Sequence, residues 1–310
     1  MSDQSTAPAA RSDTVAESEE LFAEAGDGIR LCYQTYGDPS DAAMLLIMGL
    51  GGPMTWWDPD LCRMLAGRGF FVIRYDNRDT GRSSRASGRI STGDLLRGFL
   101  GARTSPPYTL DDMADDAFGL LDHLEAPAAH VVGVSMGGMI AQTMAVLRPD
   151  RVRSLTSIMS TTGRRTVGWQ SPRLLPGMLS RRGSSKEEYV AASAALWKLI
   201  GSPAYPETRE TTPTRAAETW ERGVSNAGVL RQMAAILAQP DRTSALGRLS
   251  MPALVVHGTS DRMVHRSGGR ATAAAIPGCE LLLLPGMGHD LPIALHSTFA
   301  DAITRTARRA

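Results

Sequence analysis

The chain has 310 residues, 43% of them hydrophobic and 21% charged, with a formal net charge of +1. That is enough apolar material for one large packed domain, and the balanced charge gives no reason to expect a nucleic-acid or membrane-surface partner. Three scattered cysteines, Cys32, Cys62 and Cys279, do not make a disulfide framework and fit a reducing compartment. No Cys/His cluster has metal-ligand spacing, so no metal is expected.

In chain order, residues 1–17 are polar and small, without the apolar core of a signal peptide. They are expected to be a disordered tail, and the default location is the cytoplasm. Leu21–Ala25 and Ile29–Tyr36 flank Gly26-Asp27-Gly28, a hairpin signal. Met44–Met48 is a continuous apolar run cut off by Gly49-Leu50-Gly51-Gly52, as buried parallel strands are. A helix is expected within Trp56–Ala66, a strand at Phe70–Tyr75, and a helix at Leu110–Leu124 with Thr109 as its N-cap. The strand His130–Val134 runs almost directly into a helix at Met136–Leu147, and Val152–Met159 is the next strand. From Thr161 to Leu249 the alternation stops, leaving helical patches broken by prolines. It resumes with the strand Ala253–His257, a helix near Gly268–Ile276, the strand Glu280–Leu284 and a helix from Leu291 to Arg308. Alternating strands and helices predict an α/β fold with a mostly parallel sheet covered on both faces. The expected division is a core of residues 18–160 and 250–310, with a helical cap at 161–249.

Gly133-Val134-Ser135-Met136-Gly137 matches G-x-S-x-G between an apolar strand and a helix, the context of a nucleophile elbow. A hydroxyl is a weak nucleophile and needs an imidazole base held by a carboxylate. In such folds the chain order is Ser, then Asp or Glu, then His. His289, in a glycine-bounded loop after Glu280–Leu284, is the expected base, and Asp261, after Ala253–His257, the expected acid. His257 precedes the acid and is read as structural. His265 and His296 are read as solvated, and Asp290 as pointing away. For the oxyanion, the expected donors are the backbone N–H groups of Met136 and Leu50, with Gly51 as the fallback for the second.

Met48, Met54, Met136, Met263 and Met287 sit at the predicted site edges. Together with Trp56 and Trp57 they suggest a pocket for an apolar ester, with Met48, Trp56, Trp57, Met263 and Met287 as its candidate lining. A dinucleotide site at Gly49-Leu50-Gly51-Gly52 with Asp76 fails, because Met54 stands where the third glycine is needed.

The segments Leu46-Ile47-Met48-Gly49, Ile73-Arg74-Tyr75-Asp76-Asn77-Arg78-Asp79-Thr80-Gly81-Arg82-Ser83, the serine elbow and Gly286-Met287-Gly288-His289-Asp290-Leu291-Pro292 resemble the α/β-hydrolase superfamily, in its aclacinomycin methylesterase-like branch. The resemblance spans Leu21 to Ala307. It implies an eight-stranded, mostly parallel sheet with a helical cap, and cofactor-free hydrolysis of carboxylic esters by a serine carboxylesterase acting on a small molecule. The chain departs from the pattern at Met48-Gly49, where many members carry His-Gly. Perhydrolase, thioesterase, lactonase and C–C hydrolase chemistry on the same triad remain open, as does a non-catalytic ligand receptor.

Overall fold

The computed structural model describes residues 15–102, 104–174, 185–208 and 211–310. The expected tail falls outside these residues as far as residue 14. Its last three residues are held along the sheet edge: Ala16 O accepts from Gly37 N–H at 2.8 Å, and Glu17 bridges to Tyr36.

Eight strands form one sheet: β1 (Leu21–Glu24), β2 (Arg30–Tyr36), β3 (Ala42–Ile47), β4 (Phe70–Tyr75), β5 (Ala129–Val134), β6 (Val152–Ile158), β7 (Ala253–Gly258) and β8 (Glu280–Leu284). Their order is β1-β2-β4-β3-β5-β6-β7-β8. β1 and β2 are antiparallel, as are β2 and β4, and every other neighbouring pair is parallel. The central strands are buried along nearly their whole length, which is why they read as unbroken apolar runs rather than alternating ones.

Strand side chains alternate between faces, so each strand feeds two cores. Leu45, Ile47, Ile73 and Val131 pack with the helices α3 (Leu110–His123) and α4 (Met136–Leu147), meeting Phe118, Ile140 and Met144. Met44, Leu46, Val72, Val132, Leu254 and Val256 pack on the other face, where α1 (Pro59–Ala66) and the C-terminal helix supply Leu61, Leu65, Phe299 and Ile303. Thr109 caps α3 as expected, in a reciprocal capping box with Asp112.

One helix absent from the sequence reading, α2 (Thr92–Phe99), is opened by the same device through Ser91 and Asp94. Between β6 and β7 the described residues carry α5 (Lys186–Ile200), α6 (Thr211–Gly223), α7 (Asn226–Ala238) and the single turn α8 (Thr243–Leu246). α2 lies against α7, with Gly98 beside Leu237, so this helical layer also draws on residues from before α3. The chain ends with α9 (Ser267–Ala275) and α10 (His296–Ala307).

The chain runs outward from β3 to β4, then crosses back to β5 on the other side of β3. The loops leaving β3 and β5 therefore part at a topological switch point, where open α/β sheets form their binding crevice. Met48–Gly52 and Ser135 lie on these two loops.

Candidate active site

Ser135 stands between β5 and α4 with φ 56° and ψ −116°, a left-handed conformation that a side chain adopts only under strain. The surroundings hold it there. Its N–H donates to Ile158 O at 2.9 Å, and its carbonyl accepts from Ser160 Oγ at 2.8 Å and Met139 N–H at 3.2 Å. A Cβ on Gly137 would lie 2.1 Å from Ile47 O, and one on Gly133 would lie 2.1 Å from Gly137 O. The two glycines of the motif are thus required by close backbone approach. Met136 opens α4, so its N–H has no acceptor within the helix and lies at the positive end of the helix dipole.

His289 leaves the loop after β8. Its Nε2 lies 3.0 Å from Ser135 Oγ and its Nδ1 lies 2.8 Å from Asp261 Oδ2. Asp261, buried in the loop after β7, accepts two backbone N–H groups on Oδ1, from Met263 at 2.8 Å and Val264 at 2.9 Å. Burial alone would raise its pKa. The charge of His289 and hydrogen bonds from His257 and His289 outweigh that and hold the carboxyl well below the usual carboxylate range. Ser135, His289 and Asp261, distant in sequence, are therefore brought into one hydrogen-bonded line.

The remaining candidates separate by geometry. His257 is fully buried and donates Nε2–H to Val264 O at 2.8 Å, a bond within its loop; the same nitrogen lies 3.4 Å from Asp261 Oδ2. Asp290 turns from the serine, accepting from both Ser202 Oγ and, at 3.1 Å, Ser202 N–H. His265 stacks on Trp169 with ring centroids 4.3 Å apart. His296 is buried, not solvated as the sequence suggested, because α10 turns that face onto the sheet.

The loop after β3 closes a turn, with Gly52 N–H donating to Gly49 O at 3.1 Å. Gly49 abuts the serine: a Cβ there would lie 3.2 Å from Ser135 Cβ. A trans peptide points its C=O and N–H in opposite directions. Gly49 O is turned into the loop, so the Leu50 N–H of the same peptide unit points out of it. Gly51 N–H is committed elsewhere, to Gln232 Oε1 at 2.8 Å, which removes it as the fallback donor.

Of the expected pocket residues, Trp57 and Met287 have 0% of their surface accessible and Met48 only 3%. All three belong to the core layer under α1 and α10, so they pack the body instead of lining a wall. Large apolar side chains beside a loop satisfy burial as readily as binding, and sequence does not separate the two. Trp56 and Met263 keep partial exposure. Trp56 donates Nε1–H to Thr219 Oγ1 on α6 at 2.9 Å and meets Trp197 edge-on. Met263 Sδ accepts from Gln170 at 3.6 Å.

Four supports were missed. Asn77 donates to Met48 O at 2.9 Å and Asp76 accepts from Met54 N–H at 2.7 Å, bracing the loop after β3. Ile200 O accepts from His289 N–H at 2.7 Å, fixing the histidine loop to the end of α5. Gln232 of α7 holds Gly51. Asp76 and Asn77 lie in a segment singled out by resemblance. Gln232 is a single glutamine inside a helix and gave no signal.

Among the described residues no group of three or more His, Cys, Asp or Glu could hold a metal ion. No helix there is long and apolar enough to cross a membrane.

Comparison with known proteins bears on the family and the fold. The family profile described as alpha/beta hydrolase fold matches residues 42–293. The rhodomycin D methylesterase DauP of Streptomyces sp. (strain C5) is 30% identical over 306 residues, covering 92% of this chain and 97% of its own. DnrP of Streptomyces peucetius, also a rhodomycin D methylesterase, is 30% identical over 304 residues, with the same coverage. The crystal structure of a hydrolase from Pseudomonas aeruginosa PA01 superposes with a TM-score of 0.72 at 25% identity, covering 93% of this chain and 97% of that one. With its sheet order, its strained serine elbow and these relatives over nearly its whole length, the chain belongs to the α/β-hydrolase family.

Proposed function

We propose that this hydrolase is a serine carboxylesterase, with Ser135 as nucleophile, His289 as general base and Asp261 as the carboxylate that orients it. The observation that carries the reading is the line Ser135 Oγ–His289 Nε2 at 3.0 Å and His289 Nδ1–Asp261 Oδ2 at 2.8 Å, set on a strained elbow. An ionised Asp261 accepts the Nδ1 proton, which leaves Nε2 free to take the proton of Ser135. The alkoxide attacks the ester carbonyl while the N–H groups of Leu50 and Met136 stabilise the oxyanion. His289 then protonates the leaving alcohol, and water releases the acid by the same steps in reverse.

The methylesterase relatives support an ester of a small alcohol as the substrate, and the acid side is taken as apolar, as expected from the sequence. The helices of 161–249 serve as a cap, with Trp56 and Met263 on the exposed edge between cap and body. The reading includes a cytoplasmic setting, which the three free cysteines favour.

The test is hydrolysis of p-nitrophenyl butyrate by the wild type and by Ser135→Ala, without added metal or cofactor. Turnover by the wild type, with a loss of about 10⁶-fold in kcat for Ser135→Ala, is the expected result. Equal activity in the two proteins would remove Ser135 from the mechanism.

A further inference from the structure

The oxyanion loop is held from outside its own domain. Gly228, Arg231 and Gln232 lie at i, i+3 and i+4 on α7, so they share the face turned to the loop after β4. Gly228 permits the contact, since a Cβ there would lie 2.7 Å from Asp79 Cβ. Arg231 pairs with buried Asp79 at 2.6 Å. Gln232, with 0% of its surface accessible, reaches further. Its Oε1 accepts from Gly51 N–H at 2.8 Å, and its Nε2 donates to Arg78 O at 2.8 Å and Thr80 Oγ1 at 2.9 Å. These partners settle the amide's orientation, because an N–H only donates and a carbonyl only accepts.

The bond to Gly51 falls on the sensitive peptide of the turn. In Gly49–Gly52, Gly51 is the third residue, with φ 65°, while Leu50 is not among the positive-φ residues; this is the type II pattern. Types I and II differ by a flip of the central peptide, here the one joining Leu50 to Gly51. A buried acceptor on Gly51 N–H holds that peptide in one orientation. The Leu50 N–H sits on the preceding peptide, whose orientation types I and II share, so Gln232 acts on it by anchoring the adjacent residue in place and not by choosing the turn type.

We propose that Gln232 is a positioning residue for the oxyanion hole, through which α7 keeps the Leu50 N–H aligned for catalysis. This rests on the esterase reading given above. A misaligned donor weakens the transition state and leaves ground-state binding alone. Gln232→Met therefore lowers kcat about 10–100-fold with KM within about twofold, somewhat less than outright removal of a donor. Inhibition by an alkyl trifluoromethyl ketone, which adds to the serine as an oxyanion, weakens by the same factor. Gln232→Glu keeps the acceptor for Gly51 and so keeps kcat within about threefold of the wild type, at reduced thermal stability. Arg85→Met, which removes the bond to Gly223 O elsewhere on the seam, leaves kcat and ketone affinity unchanged.

The measurement is kcat, KM and ketone Ki for the wild type and these variants, with p-nitrophenyl butyrate as substrate. Wild-type kcat in Gln232→Met, a fall in Gln232→Glu as deep as in Gln232→Met, or an equal fall in Arg85→Met overturns the proposal. Should Gln232→Met not fold, Gln232→Asn, one methylene too short to reach Gly51, takes its place with the same expectation. An active wild type with an unaffected Gln232 variant overturns this inference alone. A wild type that neither hydrolyses the ester nor binds the ketone overturns the esterase reading and this inference with it.

Discussion

Asp261 receives two backbone N–H groups on one oxygen and His289 on the other, and remains ionised despite burial. In Asp261→Asn the carbonyl can still accept the backbone bonds, but the amide NH₂ then faces His289 Nδ1 and favours the wrong tautomer. The expected loss in kcat is about 10⁴-fold, smaller than for Ser135→Ala, with the folded structure kept. A variant that retains wild-type kcat would assign the acid elsewhere. A second histidine sets an acid limit on stability. His130 on β5 is buried, bonds Ser154 Oγ at 2.9 Å, and is pushed down by burial from its ordinary 6.5 to about 4. Between those values the unfolded chain binds a proton that the folded chain refuses, so stability rises with pH across the window and falls as pH drops from 6.5 toward 4. The contribution is up to about 3 kcal/mol. Urea unfolding at several pH values, comparing the wild type with His130→Gln, should show a shallower acid decline in the variant. Parallel curves would remove His130 as the cause. The hydrogen-bonded line of Ser135, His289 and Asp261 was legible because the roles proposed for them demand a residue type at a strand end. Trp57 and Met287 were misplaced because burial and binding call for the same side chains.

The elbow depends on how closely two elements approach. Gly137 brings α4 against β3, and the obstacle to a larger residue is Ile47 backbone at 2.1 Å, which has no rotamer to give. Gly137→Ala is therefore expected to cost at least about 3 kcal/mol, or to abolish folding, whereas a surface Gly→Ala within a helix would stabilise. Denaturant unfolding reads this directly, and a variant as stable as the wild type would contradict the packing described. Central strands were read nearly to their ends because buried parallel strands are unbroken apolar runs; the half-exposed edge strand β8 and helix α4 also have the expected bounds. α2 was overlooked because it is short and carries exposed Leu96 and Phe99, followed by exposed Leu100, so its apolar positions mark no face turned to the body's core. Its capping box, Ser91 with Asp94, was the available signal.

The body and the helices between β6 and β7 are joined by buried charge. Arg222 of α6 pairs with Asp76 at 2.8 Å, Arg231 of α7 with Asp79 at 2.6 Å, and Arg242 bonds Gln142. Asp76 and Asp79 have no side-chain surface exposed. Removing one partner of such a pair strands the other in a poorly solvating interior. Arg222→Met is expected to destabilise the protein by about 3–5 kcal/mol, read as a fall in denaturant midpoint. A change below about 1 kcal/mol would mean that Asp76 is carried by Met54 and Arg82 N–H alone. The same helical segment touches both candidate catalytic loops, through Ile200 at His289 and through Gln232 at Gly51. The helices between β6 and β7 are therefore bonded to the candidate site at both loops.

Local pattern alone determined the alternation of strands and helices and the elbow motif at Ser135, and it nominated His289 and Asp261 for the roles proposed above. Each rests on a short-range requirement: a buried strand must be apolar, a tight turn must have glycine, and a triad keeps its chain order. Only the tertiary structure decided which N–H of the loop after β3 is committed to a side chain, which tryptophan is core, and which polar side chains brace the candidate site. Gln232 lies 181 residues from Gly51, and no spacing rule links a helical glutamine to a distant backbone amide. Such contacts are chosen by how α7 seats on the sheet, a property of the packed whole.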